Sequence, residues 1–342
     1  MQQSKKYTFL FLSLLLVFVL LLITNITLGS ISIPFKEVIS SLFGKTMQKE
    51  SWEIILWNFR LPKAITAILV GIGLSISGLL MQTLFRNPLA GPYVLGLSSG
   101  ASLSVAVIIL GVGILPAAFT SIFLSNYGIV VASSLGSFIV LLAVLVVAKQ
   151  LKDTMAILIV GLMFGSFTSA LVSVLSYFST AEQLQKFTFW SMGSISNLTW
   201  SEIILLAFFV FLGTLISFLV IKPLNALLLG EKYAKSIGIN YKKTRFLIII
   251  ATSLLAGSIT AFAGPIAFIG LAVPHITKLV FQTSNHLILV FGTIVVGAII
   301  MLFCDTIAQV PGSDFTLPIN AITSIIGAPI VIWLLVRKRK MG

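Results

Sequence analysis

The feature that most constrains this chain is its long runs without a charged side chain. Residues 7–23, 65–85 and 94–148 contain no Asp, Glu, Lys or Arg. Only 9% of all residues are charged and 58% are hydrophobic, whereas a soluble domain has about 25% charged residues. Because about 20 apolar residues suffice for a helix to cross a bilayer, the pattern predicts an all-α polytopic membrane protein.

The first apolar run follows Lys5 and Lys6, as the core of a signal peptide would. It continues to about Leu28, which is longer than the roughly 7–15 residues of such a core, and no small-residue cleavage pattern follows. We therefore predict that it is a retained membrane span. Cys304 is the only cysteine, so no disulfide can form within the chain.

Apolar runs separated by Pro, Gly, Asn and charged residues predict ten spans in one transmembrane domain over residues 1–342. The two shortest, 246–262 and 265–281, meet at Gly264 and Pro265 and are compatible with one broken hairpin. The ten predicted spans are 7–28, 61–84, 94–115, 127–148, 154–178, 202–221, 246–262, 265–281, 287–308 and 318–336.

The distribution of basic residues predicts the orientation of these spans. Ten spans place both termini on one side, and if that side is the cytoplasm, its segments hold 16 of the 22 Lys and Arg residues. Basic residues collect on cytoplasmic loops, so the net charge of +13 does not indicate a nucleic-acid partner. The six basic residues on the outer side are Lys36, Lys45, Lys49, Arg60, Lys63 and Lys186.

Small and hydroxyl residues recur along one face of the fifth predicted span. The members of this stripe are Gly161, Gly165, Ser169, Ser173, Ser176 and Thr180. Two interpretations stay open: small residues allow close helix packing, or the hydroxyls line a polar path for a weakly held solute. The hydroxyl residues that would line such a path are Ser169, Ser173, Ser176 and Thr180. A similar stripe in the second span consists of Gly71, Ser75, Gly78 and Gln82.

Ionisable residues inside spans are functional candidates. Asp305 lies near the outer end of the ninth predicted span, and His275 follows Pro274 in the eighth. They could serve an ion-coupled carrier. Alternatively, Asp305 fixes a helix end and His275 packs against backbone, an interpretation that we favour because one carboxylate gives little support for ion coupling.

The sequence contains no catalytic or nucleotide-binding set. The stretch Phe43–Thr46 reads Phe-Gly-Lys-Thr, but a phosphate-binding loop would need glycine at position 39, which is Ile39. With one Cys and two His, neither a zinc cluster nor a nucleophile–base–acid set can be assembled. We therefore predict that the chain is not an enzyme and holds no cofactor or metal.

One polar island, residues 227–245, interrupts the apolar sequence. Leu224 to Gly230 is predicted to be helical, and Glu231 to Ile237 is predicted to form a second short helix that stops at Gly238. This element could present a ridge to a cytoplasmic protein or lie on anionic lipid headgroups. Its small residues give a shaped surface, which favours a protein partner.

Several motifs occur in a fixed order along nearly the whole chain. They are RLPK at 60–63, GLLMQTLFRNPLAGP at 78–92, LGEKYA at 229–234, GPIAFIGLAVPH at 264–275 and GAP at 327–329. This series resembles the FecCD-type permease subunits, with a BtuC-like fold, of ATP-binding-cassette importers for iron–siderophores, haem and vitamin B12.

The resemblance implies a division of labour in a bacterial inner membrane, with both termini cytoplasmic. Two permease chains would form the pathway, lined in part by the fifth and tenth spans, and an extracytoplasmic binding protein would deliver the substrate. Two cytoplasmic ATPase subunits would bind ATP and Mg²⁺ and dock on the segment around 224–243. The residues implied in that coupling are Leu228, Gly230, Glu231, Ala234, Ser236 and Gly238.

The resemblance also implies that Arg60 and Lys63 bind acidic residues of the binding protein. Three departures from the family pattern stand out. Gln309 occupies the place of a third docking Arg after the ninth span, the Glu-Leu-Pro-Ile-Gly motif reads Thr-Leu-Pro-Ile-Asn at 316–320, and the histidine motif ends in Lys278. The first two place the outer docking geometry in question without affecting the fold.

The expected function is that of an importer permease, with ferric siderophore as the first substrate and haem or cobalamin next. An ion-coupled secondary carrier is the main alternative, and a membrane scaffold without a transport role is a third. The chain itself does not name the chelate, since iron would travel inside it and the binding protein would select it.

Overall fold

The computed structural model describes residues 2–111, 122, 124–150, 154–310, 312–313 and 315–339. Within these ranges the chain is almost entirely helical and forms no β-strand. These ranges do not include residues 112–115 of the third predicted span, nor Lys152 and Lys340, two of the sixteen basic residues assigned to the cytoplasmic side.

The regular helices are labelled in chain order. Two π-helical turns adjoin them, Leu56–Arg60 between α3 and α4 and Ser253–Gly257 between α12 and α13. The helices are α1 Gln2–Thr27, α2 Phe35–Leu42, α3 Glu50–Ile55, α4 Leu61–Leu84, α5 Leu97–Ile109, α6 Asn126–Gln150, α7 Thr154–Tyr177, α8 Ala181–Ser191, α9 Trp200–Leu219, α10 Ile221–Leu227, α11 Glu231–Ser236, α12 Tyr241–Thr252, α13 Ser258–Ala263, α14 Ile269–Phe281, α15 His286–Ala308 and α16 Ile319–Arg339.

Each of the ten predicted spans coincides with an apolar helix of the structure. Seven described segments are long and apolar enough to cross a membrane: Lys5–Thr27, Glu50–Leu84, Asn126–Val144, Ala156–Tyr177, Trp200–Leu219, Tyr241–Ala263 and His286–Ala308. The three remaining predictions correspond to the shorter apolar helices Leu97–Ile109, Ile269–Phe281 and Ile319–Trp333. The chain is therefore a multi-pass membrane protein.

The described residues fall into two compact units. The first comprises Met1–Leu79, Ser194–Phe208 and Ala267–Gly342, and the second comprises Leu80–Gly193 and Phe209–Ile266.

Glycine contacts hold the helices of the first unit close together. A Cβ atom added to Gly71 of α4 would lie 2.3 Å from the carbonyl oxygen of Gly297 in α15, and one added to Gly78 would lie 1.8 Å from that of Gly270 in α14. Neither position has room for a side chain. Two members of the predicted small-residue stripe in the second span therefore serve backbone packing, as is common for helices in lipid.

The second unit uses the same device between α5 and α6. A Cβ atom on Gly100 would lie 2.4 Å from the carbonyl oxygen of Gly136, and one on Gly136 would lie 2.2 Å from that of Gly100. Ser137 adds a hydrogen bond of 3.0 Å from its hydroxyl to the carbonyl of Leu97. Close approach and an interhelical hydrogen bond therefore act together here.

Candidate functional site

The predicted coupling segment is a helix–turn–helix at the surface of the second unit. Helix α10 ends at Leu227, and α11 spans Glu231–Ser236 between two glycines with positive φ. Gly230 has φ +111° and Gly238 has φ +84°, and side chains other than glycine rarely adopt such angles. The two glycines therefore fix the start and the stop of the short helix, as the sequence predicts.

Helix α11 has one buried side and one exposed side. Ala234 is fully buried and belongs to a cluster with Ala226, Leu227 and Tyr241, against which Ile239 packs. Ala234 therefore anchors the helix to its own chain and does not present a surface.

The other predicted coupling residues differ in their exposure to solvent. Leu228, Ser236 and Gly238 are exposed, whereas Gly230 is buried. Glu231 is partly exposed and forms an ion pair of 2.6 Å with Lys235 one turn later. Leu228, Ser236 and Gly238 form an exposed ridge with three large side chains that are not among the predicted coupling residues, Leu229, Tyr233 and Ile237.

Arg60, one of the two predicted docking residues, closes the end of α1. Its guanidinium donates hydrogen bonds of 2.8 Å to the carbonyls of Ile26 and Thr27 and a further one to Ile31. The last carbonyls of a helix have no partner within the helix and carry partial negative charge. Arg60 therefore neutralises this helix end from inside its own chain.

Lys63, the second predicted docking residue, is committed to an internal ion pair. Its ammonium nitrogen lies 3.0 Å from Oδ1 of Asp305, and the two side chains are 14% and 1% exposed. Oδ2 of Asp305 accepts hydrogen bonds of 2.8 Å from Asn25 and 3.0 Å from Gln309. Asp305 thus joins α1, α4 and α15, and Gln309, where the resemblance leads us to expect a third docking Arg, supports that carboxylate.

The stripe on the fifth predicted span has two halves with different surroundings. A Cβ atom on Gly161 would lie 2.0 Å from the carbonyl oxygen of Val94, so the first half is a close packing surface. Ser169 and Ser173 are exposed, and the Ser173 hydroxyl donates to the Ser169 carbonyl at 2.9 Å. Among the residues that the structure describes, none covers Ser169 and Ser173 fully, so these two hydroxyl residues stay exposed.

The two outermost members of that stripe differ in their roles. Ser176 is half-buried. Thr180 is exposed and caps α8: its hydroxyl accepts from the Gln183 amide, and the Gln183 side chain accepts from the Thr180 amide at 2.9 Å. The prediction that these hydroxyls line a path remains a prediction.

In the part of the chain that the structure describes, no three His, Cys, Asp or Glu residues lie together as a metal site would require. His275 is half-buried within α14.

Comparisons with known proteins agree with this arrangement of helices. A model of the FecCD transport family matches residues 15–337. The hemin transport system permease protein HmuU of Yersinia pestis is 32% identical over 328 residues, which cover 96% of this chain and 95% of that protein. The vitamin B12 import system permease protein BtuC of Klebsiella pneumoniae subsp. pneumoniae is 34% identical over 345 residues, which cover 100% and 97%.

A solved structure of an inward-facing metal-chelate type ABC transporter is similar along nearly its whole length. It matches with a TM-score of 0.82 at 30% identity, covering 97% of this chain and 99% of that one. The predicted all-α, BtuC-like permease fold is thereby confirmed. The relatives are transport proteins, so the prediction of a transport subunit rather than an enzyme is confirmed too. Because the family model and both relatives match nearly the whole sequence, this chain belongs to the FecCD transport family.

Proposed function

We propose that this chain is the transmembrane permease subunit of an ATP-binding-cassette importer for an iron chelate. Ferric siderophore is the first candidate substrate. Haem and cobalamin are the next candidates, because two relatives are named as permeases for hemin and vitamin B12. The observation that carries the proposal is the family match over residues 15–337 together with the glycine-bounded surface helix Glu231–Ser236.

The importer needs three kinds of partner. A second permease chain would cover the exposed face of α7, where Ser169 and Ser173 are uncovered, and the pathway would run between the two chains. Two cytoplasmic ATPase subunits would bind ATP and Mg²⁺ and hydrolyse the ATP, so this chain itself would need no cofactor. An extracytoplasmic binding protein would deliver the substrate to the side opposite the termini.

The coupling mechanism follows from the rigidity of the surface helix. Closure of the ATPase dimer on ATP would push the exposed ridge around Leu228 and Ser236. Because α11 is anchored through Ala234 to Leu227 and Tyr241, the push would pass into α10 and α12 rather than be absorbed by a loose loop. The helices that line the pathway would then move so that the pathway, open to one side of the membrane before ATP binding, opens to the other side.

The alternative of an ion-coupled carrier has less support. Such a carrier needs a carboxylate that can exchange a proton or a cation near its pathway. Asp305 is the acidic residue that the sequence offered for this role, and it is 1% exposed and held by Lys63, Asn25 and Gln309.

The proposal is tested by transport in proteoliposomes. The chain is reconstituted with its candidate ATPase subunit and binding protein, and uptake of labelled ferric siderophore, haem and cobalamin is measured with and without ATP. We expect uptake of one of them that depends on ATP and on the binding protein. Uptake driven by an ion gradient without the ATPase would overturn the proposal.

A matched pair of glycine variants tests the coupling segment. Gly238 and Gly44 have similar φ angles, +84° and +81°, and open space where a side chain would begin. Gly238→Val should reduce uptake while ATP hydrolysis continues. Gly44→Val introduces a similar backbone strain in the loop after α2, outside the coupling segment, and should transport normally. Equal transport by the two variants would contradict the coupling role.

A further inference from the structure

Arg86 lies where α4 ends, next to the coupling segment. Its backbone φ is +48°, a region that residues other than glycine adopt uncommonly. The turn is held by backbone hydrogen bonds from Arg86 to Thr83 and from Asn87 to Gln82, both 3.2 Å. The fold therefore keeps an arginine in an unfavourable conformation at a position where Asn or Gly would be easier to accommodate.

The Arg86 side chain faces a cavity of about 390 Å³ that the coupling segment completes. The cavity is lined by Thr83, Leu84, Phe85, Arg86, Leu227, Glu231 and Tyr241. One guanidinium nitrogen of Arg86 lies 3.8 Å from the point where a Cβ atom of Gly230 would be. The guanidinium thus lies next to Gly230, the glycine that starts α11.

The charges around this cavity are unbalanced. Glu231 is the acidic group in its wall, and its carboxylate is already paired with Lys235 at 2.6 Å. Arg86 is exposed and forms no side-chain hydrogen bond or ion pair with any residue in the described ranges. An exposed guanidinium with five donors in a fixed fork matches a carboxylate in two-point geometry.

We propose that this cavity receives an acidic side chain of the ATPase subunit and that Arg86 binds its carboxylate. The inference rests on the proposed function, which assigns the adjoining ridge to the ATPase. Continuity with that ridge favours a protein carboxylate over a lipid phosphate, because Leu227 and Glu231 belong both to the cavity wall and to the coupling segment. Arg86 would hold the ATPase in register against the start of α11 at Gly230.

The test compares Arg86→Asn with Lys222→Asn in lipid nanodiscs. Asn tolerates positive φ, so Arg86→Asn removes the guanidinium without adding backbone strain. Lys222→Asn removes one exposed positive charge from α10 outside the cavity. The ATPase subunit is titrated onto each variant, and its Kd is measured at two salt concentrations in discs of neutral and of anionic lipid.

We expect Arg86→Asn to weaken ATPase binding about 10- to 150-fold in both lipid compositions, the range for a lost hydrogen bond to a charged group. Lys222→Asn should change the Kd by less than about threefold, as for a charge at the rim. An unchanged Kd for Arg86→Asn overturns the inference, and so does weakening confined to anionic discs, which would identify a lipid headgroup as the occupant. If the unsubstituted chain does not bind the ATPase at all, the proposed function itself fails.

Discussion

The ammonium group of Lys63 lies 3.0 Å from a carboxylate oxygen of Asp305, and both side chains are largely shielded from solvent. Removing one member of a buried ion pair costs up to about 3–5 kcal/mol, because the remaining charge stays buried without a partner. We therefore expect Asp305→Asn or Lys63→Met to lower the thermal unfolding midpoint of the purified protein clearly.

Two further variants make this prediction specific. The double variant Lys63→Met with Asp305→Leu should recover most of the lost stability, because no charge remains unpaired. Glu182→Gln, which breaks the exposed ion pair with Lys186, should leave the midpoint unchanged. A double variant less stable than either single one would show that the pair does not act as a unit.

Arg60 allows the helix-capping role to be separated from the proposed docking role. Arg60→Lys keeps the positive charge but cannot reach three carbonyls with one planar fork. We expect it to lower the unfolding midpoint while changing the Kd for the binding protein only a few-fold.

Arg60→Gln should lower both the stability and the affinity, and both are measured in the same preparations. If Arg60→Gln leaves the Kd of the binding protein and its salt dependence untouched, the docking role is wrong and capping of α1 is what Arg60 does.

The contact between Gly78 and Gly270 predicts a strict limit on side-chain size. A Cβ atom at position 78 would lie 1.8 Å from a backbone oxygen, so Gly78→Ala must push two helices apart. Overpacking of this kind costs about 1–3 kcal/mol, which the unfolding midpoint should reveal. Gly257→Ala is the control, because its added Cβ would meet its nearest neighbour at 4.0 Å; equal losses in the two variants would argue against the close contact.

Thr180 should affect the order of α8 through its capping box. Loss of an N-cap hydroxyl costs about 0.5–2 kcal/mol of helix stability. We expect Thr180→Ala to accelerate amide hydrogen exchange in the first turn of Ala181–Ser191. Thr188→Ala, which removes a hydroxyl that donates to the Leu184 carbonyl within the same helix, should not; exchange that is equally fast in both variants would exclude a specific capping effect.

The sequence predicts the helices well because membrane spans depend on local composition. All ten apolar runs correspond to helices, and Gly230 and Gly238 mark the ends of α11 without help from the rest of the chain. What the sequence leaves open depends on distant partners. That Ala234 points inward is decided by Leu227 and Tyr241, which a six-residue helix does not reveal by itself.

The region around Arg60 and Lys63 shows the same limit. Arg60 and Lys63 appear in the sequence as free positive charges, but their partners are backbone carbonyls across a loop and a carboxylate in another span. The two π-helical turns carry no pattern by which they could be predicted. Charge and spacing therefore do not predict what Arg60 and Lys63 contact within the chain, and their docking role stays a prediction.

The hydrogen bond from Asn25 to Asp305 has a consequence for biosynthesis. The two residues are 280 positions apart, and a ribosome adds about 5–20 residues per second. The nascent first span thus waits roughly tens of seconds before its carboxylate acceptor is even translated. Until then its amide must find a temporary acceptor, in water, lipid headgroups or the insertion machinery, so this corner of the protein is completed only after Asp305 has been translated.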